Sequence, residues 1–125
     1  MVKMMQKIKP YRNKKYIDWV KSLPCCITGM PADDAHHLIG YGLGGMGTTA
    51  SDCFTIPLTR YMHTQLHLDS RAWEDIHGSQ VDYCIETLHR AMEEKIITDS
   101  ILTEQIYIIP NTDLRKQFGL CLLCT

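Results

Sequence analysis

The chain has 125 residues, 45% hydrophobic and 22% charged, which is the size and composition of one globular domain with its own core. No stretch is apolar over the roughly 18 residues that a membrane-spanning helix needs, and the charged N-terminal segment leads into no apolar signal-peptide run. We therefore expect a cytoplasmic protein without a membrane partner, with free cysteines rather than a disulfide framework.

The formal net charge of −1 conceals a strong asymmetry along the chain. Residues 1–21 contain seven basic residues and one acidic residue, whereas residues 22–125 contain six basic and thirteen acidic residues. A basic arm joined to an acidic body is typical of a nucleic-acid contact, because neutralised phosphates supply affinity without sequence preference. A solubilising terminus would explain the charge equally well. The candidate DNA-binding residues are Lys7, Lys9, Arg12, Lys14 and Lys15.

Local signals predict seven helices and strands before residue 98. Asn13, Ser70 and Ser79 are candidate N-caps, and Pro57 suits the first position of a helix. In chain order we predict a helix at 13–21, a strand or knuckle at 25–30 that turns at Thr28-Gly29, a strand at 34–39, a glycine-rich loop at 40–51, a strand at 53–56, and helices at 57–68, 70–76 and 80–97.

The predicted helix at 80–97 has the clearest pattern, because its apolar residues recur at spacings of three and four and mark one buried stripe. The stripe consists of Val81, Cys84, Ile85, Leu88, Met92 and Ile96. Beyond this helix, the apolar run at 106–109 predicts a strand and Pro110-Asn111 predicts a turn.

The glycine-rich loop contains the GxGxxG pattern twice, beginning at Gly40 and again at Gly42. A dinucleotide-binding loop would lead directly into a helix, and a P-loop would end in Gly-Lys-Ser or Gly-Lys-Thr. The chain instead continues as TTASD toward another predicted strand. The glycines therefore indicate a loop that turns tightly and brings its backbone close to a ligand, rather than a nucleotide site.

Four of the six histidines form a pattern that suits a metal ion. His63 and His67 are four residues apart on a predicted helix, so both project from one face. His36 and His37 are neighbours on a predicted strand, so they point to opposite faces and should have different roles. One of them would complete a three-imidazole site, and the other would face the substrate. Three ligands leave positions open for water or phosphate, which is typical of a catalytic site.

The series AHHLIGYGLGGMGTTASDCFTIPLTRYMHTQLH resembles the ββα-metal module of His-Asn-His (HNH) endonucleases. More narrowly, it resembles the phage and prophage branch that includes RecA-dependent nucleases, with its Ala-His-His, glycine-rich loop, Ile-Pro-Leu and His-x3-His helix. The downstream segment WEDIHGSQ is also similar to that branch. The resemblance covers about residues 15–97.

The resemblance implies an α+β fold, a ββα-metal (HNH) module with flanking helices. It would comprise a basic arm at 1–12, a nuclease domain at 13–97 and a tail at 98–125 whose structure the sequence does not define. It also implies one divalent metal ion (zinc, manganese or magnesium) on His36, His63 and His67. His37 would be the general base, and Asp52 would orient it or fix the loop.

Many relatives in that family surround the module with two Cys-x-x-Cys knuckles that hold a structural zinc ion. Here Cys25 stands at the first ligand position, but the other three positions hold Thr28, Thr59 and Met62. We therefore expect no structural zinc there. The residues expected to pack in its place are Cys25, Ile27, Met30 and Met62. An alternative zinc site would be formed by Cys25, Cys26, Cys121 and Cys124.

These features together predict a metal-dependent DNA endonuclease of phage recombination or DNA processing. Its partners would be DNA and a RecA-type recombinase filament, with Arg60 and Lys21 as further phosphate contacts. The alternative is a non-catalytic DNA-binding or recombination accessory module in which the histidines hold a structural metal.

Overall fold

The computed structural model describes residues 8–43 and 50–123. Within these ranges the protein is α+β, as expected, with six helices and one two-stranded antiparallel sheet. The elements are α1 (Lys14–Lys21), β1 (Asp34–His37), β2 (Thr55–Leu58), α2 (Arg60–Leu68), α3 (Ser70–His77), α4 (Gln80–Glu93), α5 (Asp99–Tyr107) and α6 (Thr112–Leu122). None of the helices in the described ranges is long and apolar enough to cross a membrane.

The first helix forms as predicted, because Asn13 accepts a hydrogen bond from the Tyr16 amide and so satisfies one of the free N–H groups at the helix start. Its apolar face buries Tyr16 and Val20 against both strands. The segment at 25–30 forms a knuckle, which is one of the two structures predicted for it. The Cys25 amide donates to the Met30 carbonyl over 2.7 Å, and Gly29 adopts a positive φ of 76°.

The hairpin of β1 and β2 places the two adjacent histidines in a fixed register, with His36 opposite Ile56 and His37 opposite Thr55. The second strand lies two residues later than predicted, and Pro57 belongs to it rather than to a helix. The side chain of Thr59 caps α2 by accepting from the Met62 amide, so the helix begins at Arg60.

The next two helices match their predictions except at their ends. Asp69, not Ser70, caps α3. Ser79 caps α4 as predicted, but the helix ends at Glu93 rather than at 97. The first four residues of the predicted stripe are buried, whereas Ile96 lies beyond the helix and is partly exposed.

Residues 98–123 of the described chain form two helices, so the strand predicted at 106–109 is wrong. Thr98 and Asn111 cap α5 and α6, and the predicted turn at Pro110-Asn111 separates them. Leu102 and Ile106 are four residues apart and are buried together. The ring centroids of Phe118, in α6, and of Phe54, which directly precedes β2, are 5.0 Å apart. The tail therefore shares one core with the hairpin.

Candidate metal centre

Three of the predicted site residues come together where β1 packs against α2. His36 projects from β1, and His63 and His67 project from successive turns of α2. Their ring centroids lie 4.8, 5.3 and 4.9 Å apart, and one nitrogen of each ring lies within 4.8 Å of the others. This is the set expected to bind a metal.

His36 lies at the buried end of this cluster and is 1% exposed. Its Nε2 is 2.9 Å from Oε1 of Gln80, and an amide oxygen can only accept, so Nε2 carries the proton. Its Nδ1 is therefore a lone-pair acceptor, and it is buried with no hydrogen-bond partner. Burial lowers the pKa of His36 to about 4, which keeps the ring neutral and able to bind a cation.

His63 is oriented by a carboxylate. Its Nδ1 lies 2.9 Å from Asp34 Oδ2, and Asp34 also pairs with Arg60 over 2.9 Å. The Arg60 guanidinium, with a smaller contribution from His63, lowers the pKa of Asp34 to about 2. An ionised carboxylate only accepts, so His63 donates from Nδ1 and its Nε2 is free to be a ligand. This carboxylate–histidine arrangement is common at metal sites.

The remaining geometry also fits a divalent cation. Nε2 of His63 and Nε2 of His67 are 3.2 Å apart, and a tetrahedral zinc ion bound at about 2.0–2.1 Å would hold two ligand nitrogens roughly 3.3 Å apart. Burial, and then the neighbouring His63, lowers the pKa of His67. The unpartnered Nδ1 of His36 points to the same conclusion, because a buried polar atom without a partner is costly.

The cluster opens to solvent on one side. A cavity of about 430 Å³ lies over His63 and His67 and is also lined by Asp34, Arg60 and Thr64. His36 closes the buried side, whereas His67 is exposed. A three-imidazole centre with one open side leaves room for water or a phosphate oxygen.

His37 occupies a different environment from its neighbour, as the alternation of a strand predicts. Its Nε2 lies 2.8 Å from Oδ1 of Asp52, whose other oxygen accepts from the Asn13 amide over 2.8 Å. Asp52 is almost buried and is also 3.4 Å from Nη1 of Arg12. The pair leaves Nδ1 of His37 as the nitrogen that can accept a proton, provided that the ring donates to Asp52 from Nε2.

The predicted DNA-binding residues lie along the N-terminal segment and α1. Lys9, Lys14 and Lys15 are exposed, with Lys14 paired to Asp18 in the next turn. Arg12 contacts the Ala50 carbonyl over 2.6 Å, so its segment is held against the body. Lys7 lies outside the described residues.

The region expected to replace the structural zinc is only partly packed. Cys25 and Met62 are buried, but Met30 is 61% exposed, so its predicted packing role is wrong. For the alternative zinc site, Cys121 is exposed on α6 and Cys124 lies outside the described residues. All five described cysteines are free thiols.

Two residues that hydrogen-bond to histidines of the cluster are not among the residues predicted from the sequence. Asp34 stands two positions before His36, so the two-residue period of a strand places both on one face, and this signal could have found it. Gln80 comes from α4, 44 positions away, and only the packing of α4 on the hairpin brings it to His36. His77 and His89, like His37, lie outside the cluster. His77 packs on the Trp73 ring, and His89 is exposed on α4.

Comparison with known proteins identifies the family of this chain. A family model described as "Protein of unknown function (DUF968)" matches residues 3–94. The chain belongs to the DUF968 family. The range matched to DUF968 contains all the histidines of the cluster and Gln80, and it ends at the last turn of α4.

The chain is also similar to a protein of Escherichia coli. The chain is 49% identical over 88 residues to "Uncharacterized protein YdfU" of Escherichia coli (strain K12). The matched segment covers 70% of this chain and 25% of the relative, so the chain spans about a quarter of the length of that protein. No solved structure matches the chain.

Proposed function

We propose that this protein is a metal-dependent DNA endonuclease of the ββα-metal (HNH) type. The observation that carries the proposal is the cluster of His36, His63 and His67, in which a buried Nδ1 has no partner and the opposite side opens to solvent. The order of elements supports it, because a strand bearing adjacent histidines, a second strand and a helix bearing His-x3-His follow one another.

The donor set favours a divalent ion. Neutral imidazoles suit zinc better than the harder manganese and magnesium ions, and geometry and metal availability also decide which ion is bound. When bound, such an ion supplies Lewis-acid stabilisation of charge on a phosphate oxygen and on the leaving 3′ oxygen. The protein would hold the ion through His36 Nδ1 and through Nε2 of His63 and His67.

His37 would act as the general base. With Nε2–H donated to Asp52, its Nδ1 accepts the proton of the water that attacks phosphorus, and the carboxylate stabilises the imidazolium that forms. Asp52 is itself held by the Asn13 amide, so the ring is oriented before substrate binds. The bond between phosphorus and the 3′ oxygen would break, and the 3′ oxygen would take a proton from solvent water, leaving a 5′-phosphate and a 3′-hydroxyl.

Substrate binding would rely on contacts to the DNA backbone. The Arg60 side chain is 71% exposed at the rim of the open cavity, where it can reach a phosphate next to the cluster. The exposed lysines of α1 lie on the helix that packs against both strands of the hairpin. These groups would position DNA without selecting a base sequence.

The proposal is tested by cleavage of plasmid and single-stranded DNA with magnesium, manganese or zinc, with and without a RecA-type filament. We compare the wild type with His37→Ala and, as a matched control, with His89→Ala on the exposed face of α4. Metal content is measured on all three proteins. We expect His37→Ala to lose at least about a hundredfold in rate, the usual contribution of a general base, while still binding metal.

A second candidate has one observation in its favour. Asp52 contacts His37, Arg12 and the amide of Asn13. The His37–Asp52 pair could therefore serve only to anchor the N-terminal segment, in a DNA-binding accessory module with a structural metal. DNA binding without cleavage under every condition, and no difference between His37→Ala and His89→Ala, would overturn the nuclease proposal in favour of this module.

A further inference from the structure

We propose that Gln80 is a positioning residue of the metal centre, whose amide holds His36 in the one tautomer that presents Nδ1 as a ligand. The proposal rests on the proposed function, because it assigns the control of that same centre to a residue outside it. Gln80 comes from the start of α4 and is fully buried.

The orientation of the Gln80 amide is determined by the backbone of Ile39. Oε1 of Gln80 accepts from the Ile39 amide over 3.1 Å, and Nε2 of Gln80 donates to the Ile39 carbonyl over 3.1 Å. Turning the amide over would place two donors together and two acceptors together. The atom that faces His36 is therefore the oxygen.

This oxygen determines which nitrogen of His36 carries the proton. The two atoms are 2.9 Å apart, and an oxygen can only accept, so His36 donates from Nε2. The other tautomer would set two lone pairs against each other in a buried site and would fill Nδ1 with a proton. Nδ1 is then the one nitrogen of His36 that has no hydrogen-bond partner, so Gln80 leaves it available for a cation shared with His63 and His67.

Gln80 is itself held in place by Glu74. Its backbone amide donates to Oε2 of Glu74 over 2.8 Å, and its side-chain Nε2 lies 3.4 Å from the same oxygen. The Tyr41 hydroxyl donates to that oxygen as well. Glu74, on α3, therefore links the start of α4 to Tyr41 at the beginning of the glycine-rich loop.

The test compares three variants. Gln80→Met keeps the volume but removes the acceptor. Gln80→Glu, as the neutral acid, keeps an acceptor oxygen toward His36 and an O–H that can donate to the Ile39 carbonyl as the amide does. Gln105→Met is the matched control, because Gln105 is also a buried glutamine bonded to backbone through both amide atoms, to the Tyr11 amide and the Lys9 carbonyl.

Affinity for cobalt(II) and zinc(II) is measured by titration and by competition with a chelator. We expect Gln80→Met to bind about ten- to a hundredfold more weakly, as is usual when the outer hydrogen bond of a ligating histidine is removed. Gln80→Glu should recover most of the affinity, and Gln105→Met should match the wild type. Long-range proton–nitrogen NMR spectra of the metal-free wild type should show His36 protonated at Nε2, and those of Gln80→Met should show a mixture.

The outcomes separate the two proposals. A wild-type protein that binds metal, with Gln80→Met equal to it, overturns the role of Gln80 and leaves the proposed function standing. A wild type that binds neither cobalt nor zinc overturns the metal centre and this inference together. A metal-free wild type with His36 protonated at Nδ1 overturns the inference even if Gln80→Met fails to fold.

Discussion

At the scale of single residues, three of the predicted site histidines, two in the cluster and His37 outside it, each have one ring nitrogen held by a neighbouring side chain. His36 donates to Gln80, His63 donates to Asp34, and His37 contacts Asp52. A neutral imidazole has one donor and one acceptor, so fixing the donor also fixes which nitrogen can bind a cation or take a proton. The chemistry of the site therefore depends on three side chains that would not touch the metal.

The rim residue Arg60 offers a prediction at this scale. Arg60→Ala removes a guanidinium that can form charge-assisted hydrogen bonds with a phosphate, so we expect KM for DNA to rise about tenfold while kcat changes little. Metal affinity should be retained, because Asp34 still accepts from His63. Steady-state cleavage kinetics and a cobalt titration measure both quantities.

Arg71→Ala is the matched control for Arg60, since Arg71 is also an exposed arginine but lies on α3, outside the lining of the open cavity. An equal rise in KM for both variants would show that Arg60 acts only through net charge. A fall in kcat with unchanged KM would move Arg60 from substrate binding to the chemical step.

At the scale of elements, the hairpin and α2 are held in place by helices that follow them in the chain. α4 packs against β2, and α6 packs against α4. Phe118 of α6 is fully buried against Phe54, one residue before β2. α6 lies beyond the range that matches the family model. It therefore helps to support β2, the strand in which Ile56 pairs with His36.

We accordingly predict that Phe118→Ala lowers the free energy of unfolding by about 3–5 kcal/mol, the usual cost of removing a buried phenylalanine ring. Leu120→Ala on the same helix is the control, because Leu120 is 67% exposed and should change stability by less than about 0.5 kcal/mol. Denaturant unfolding followed by circular dichroism measures both. Equal stability of the two variants would mean that α6 does not pack on the hairpin.

The elements also show what local sequence can and cannot predict here. Spacing alone brought His63 and His67 to one face, because that depends only on helix geometry. The start of α2 was misplaced because Pro57 suits both a strand with a free edge and the first helical position, and the cap at Thr59 decided between them. The apolar run at 106–109 predicts a strand when it is read alone, but the burial of Leu102 together with Ile106 favours a helix. Gln80 depends on tertiary packing, which no local pattern contains.

At the scale of the whole molecule, positive charge is concentrated in residues 1–21, and a polyanion would bind most favourably there. The lysines of α1 lie on the helix that contacts both strands of the hairpin, whereas residues 22–125 are net acidic. Long-range repulsion from the acidic surface would direct DNA toward the side on which α1 contacts the hairpin. Binding would then rest on phosphate contacts and depend strongly on salt.

The double variant Lys9→Gln/Lys15→Gln tests this arrangement, because both side chains are exposed and the backbone carbonyl of Lys9 keeps its bond to Gln105. If each lysine neutralises one phosphate, the slope of log K against log salt should become shallower by about 2. Affinity should fall alike for unrelated sequences, and metal affinity should stay unchanged. Fluorescence anisotropy over a range of salt concentrations measures the slope. The control, Lys95→Gln/Lys116→Gln, removes the same charge from exposed positions after α4 and on α6. An identical slope for the two double variants would mean that DNA responds to net charge alone, and that α1 does not face it.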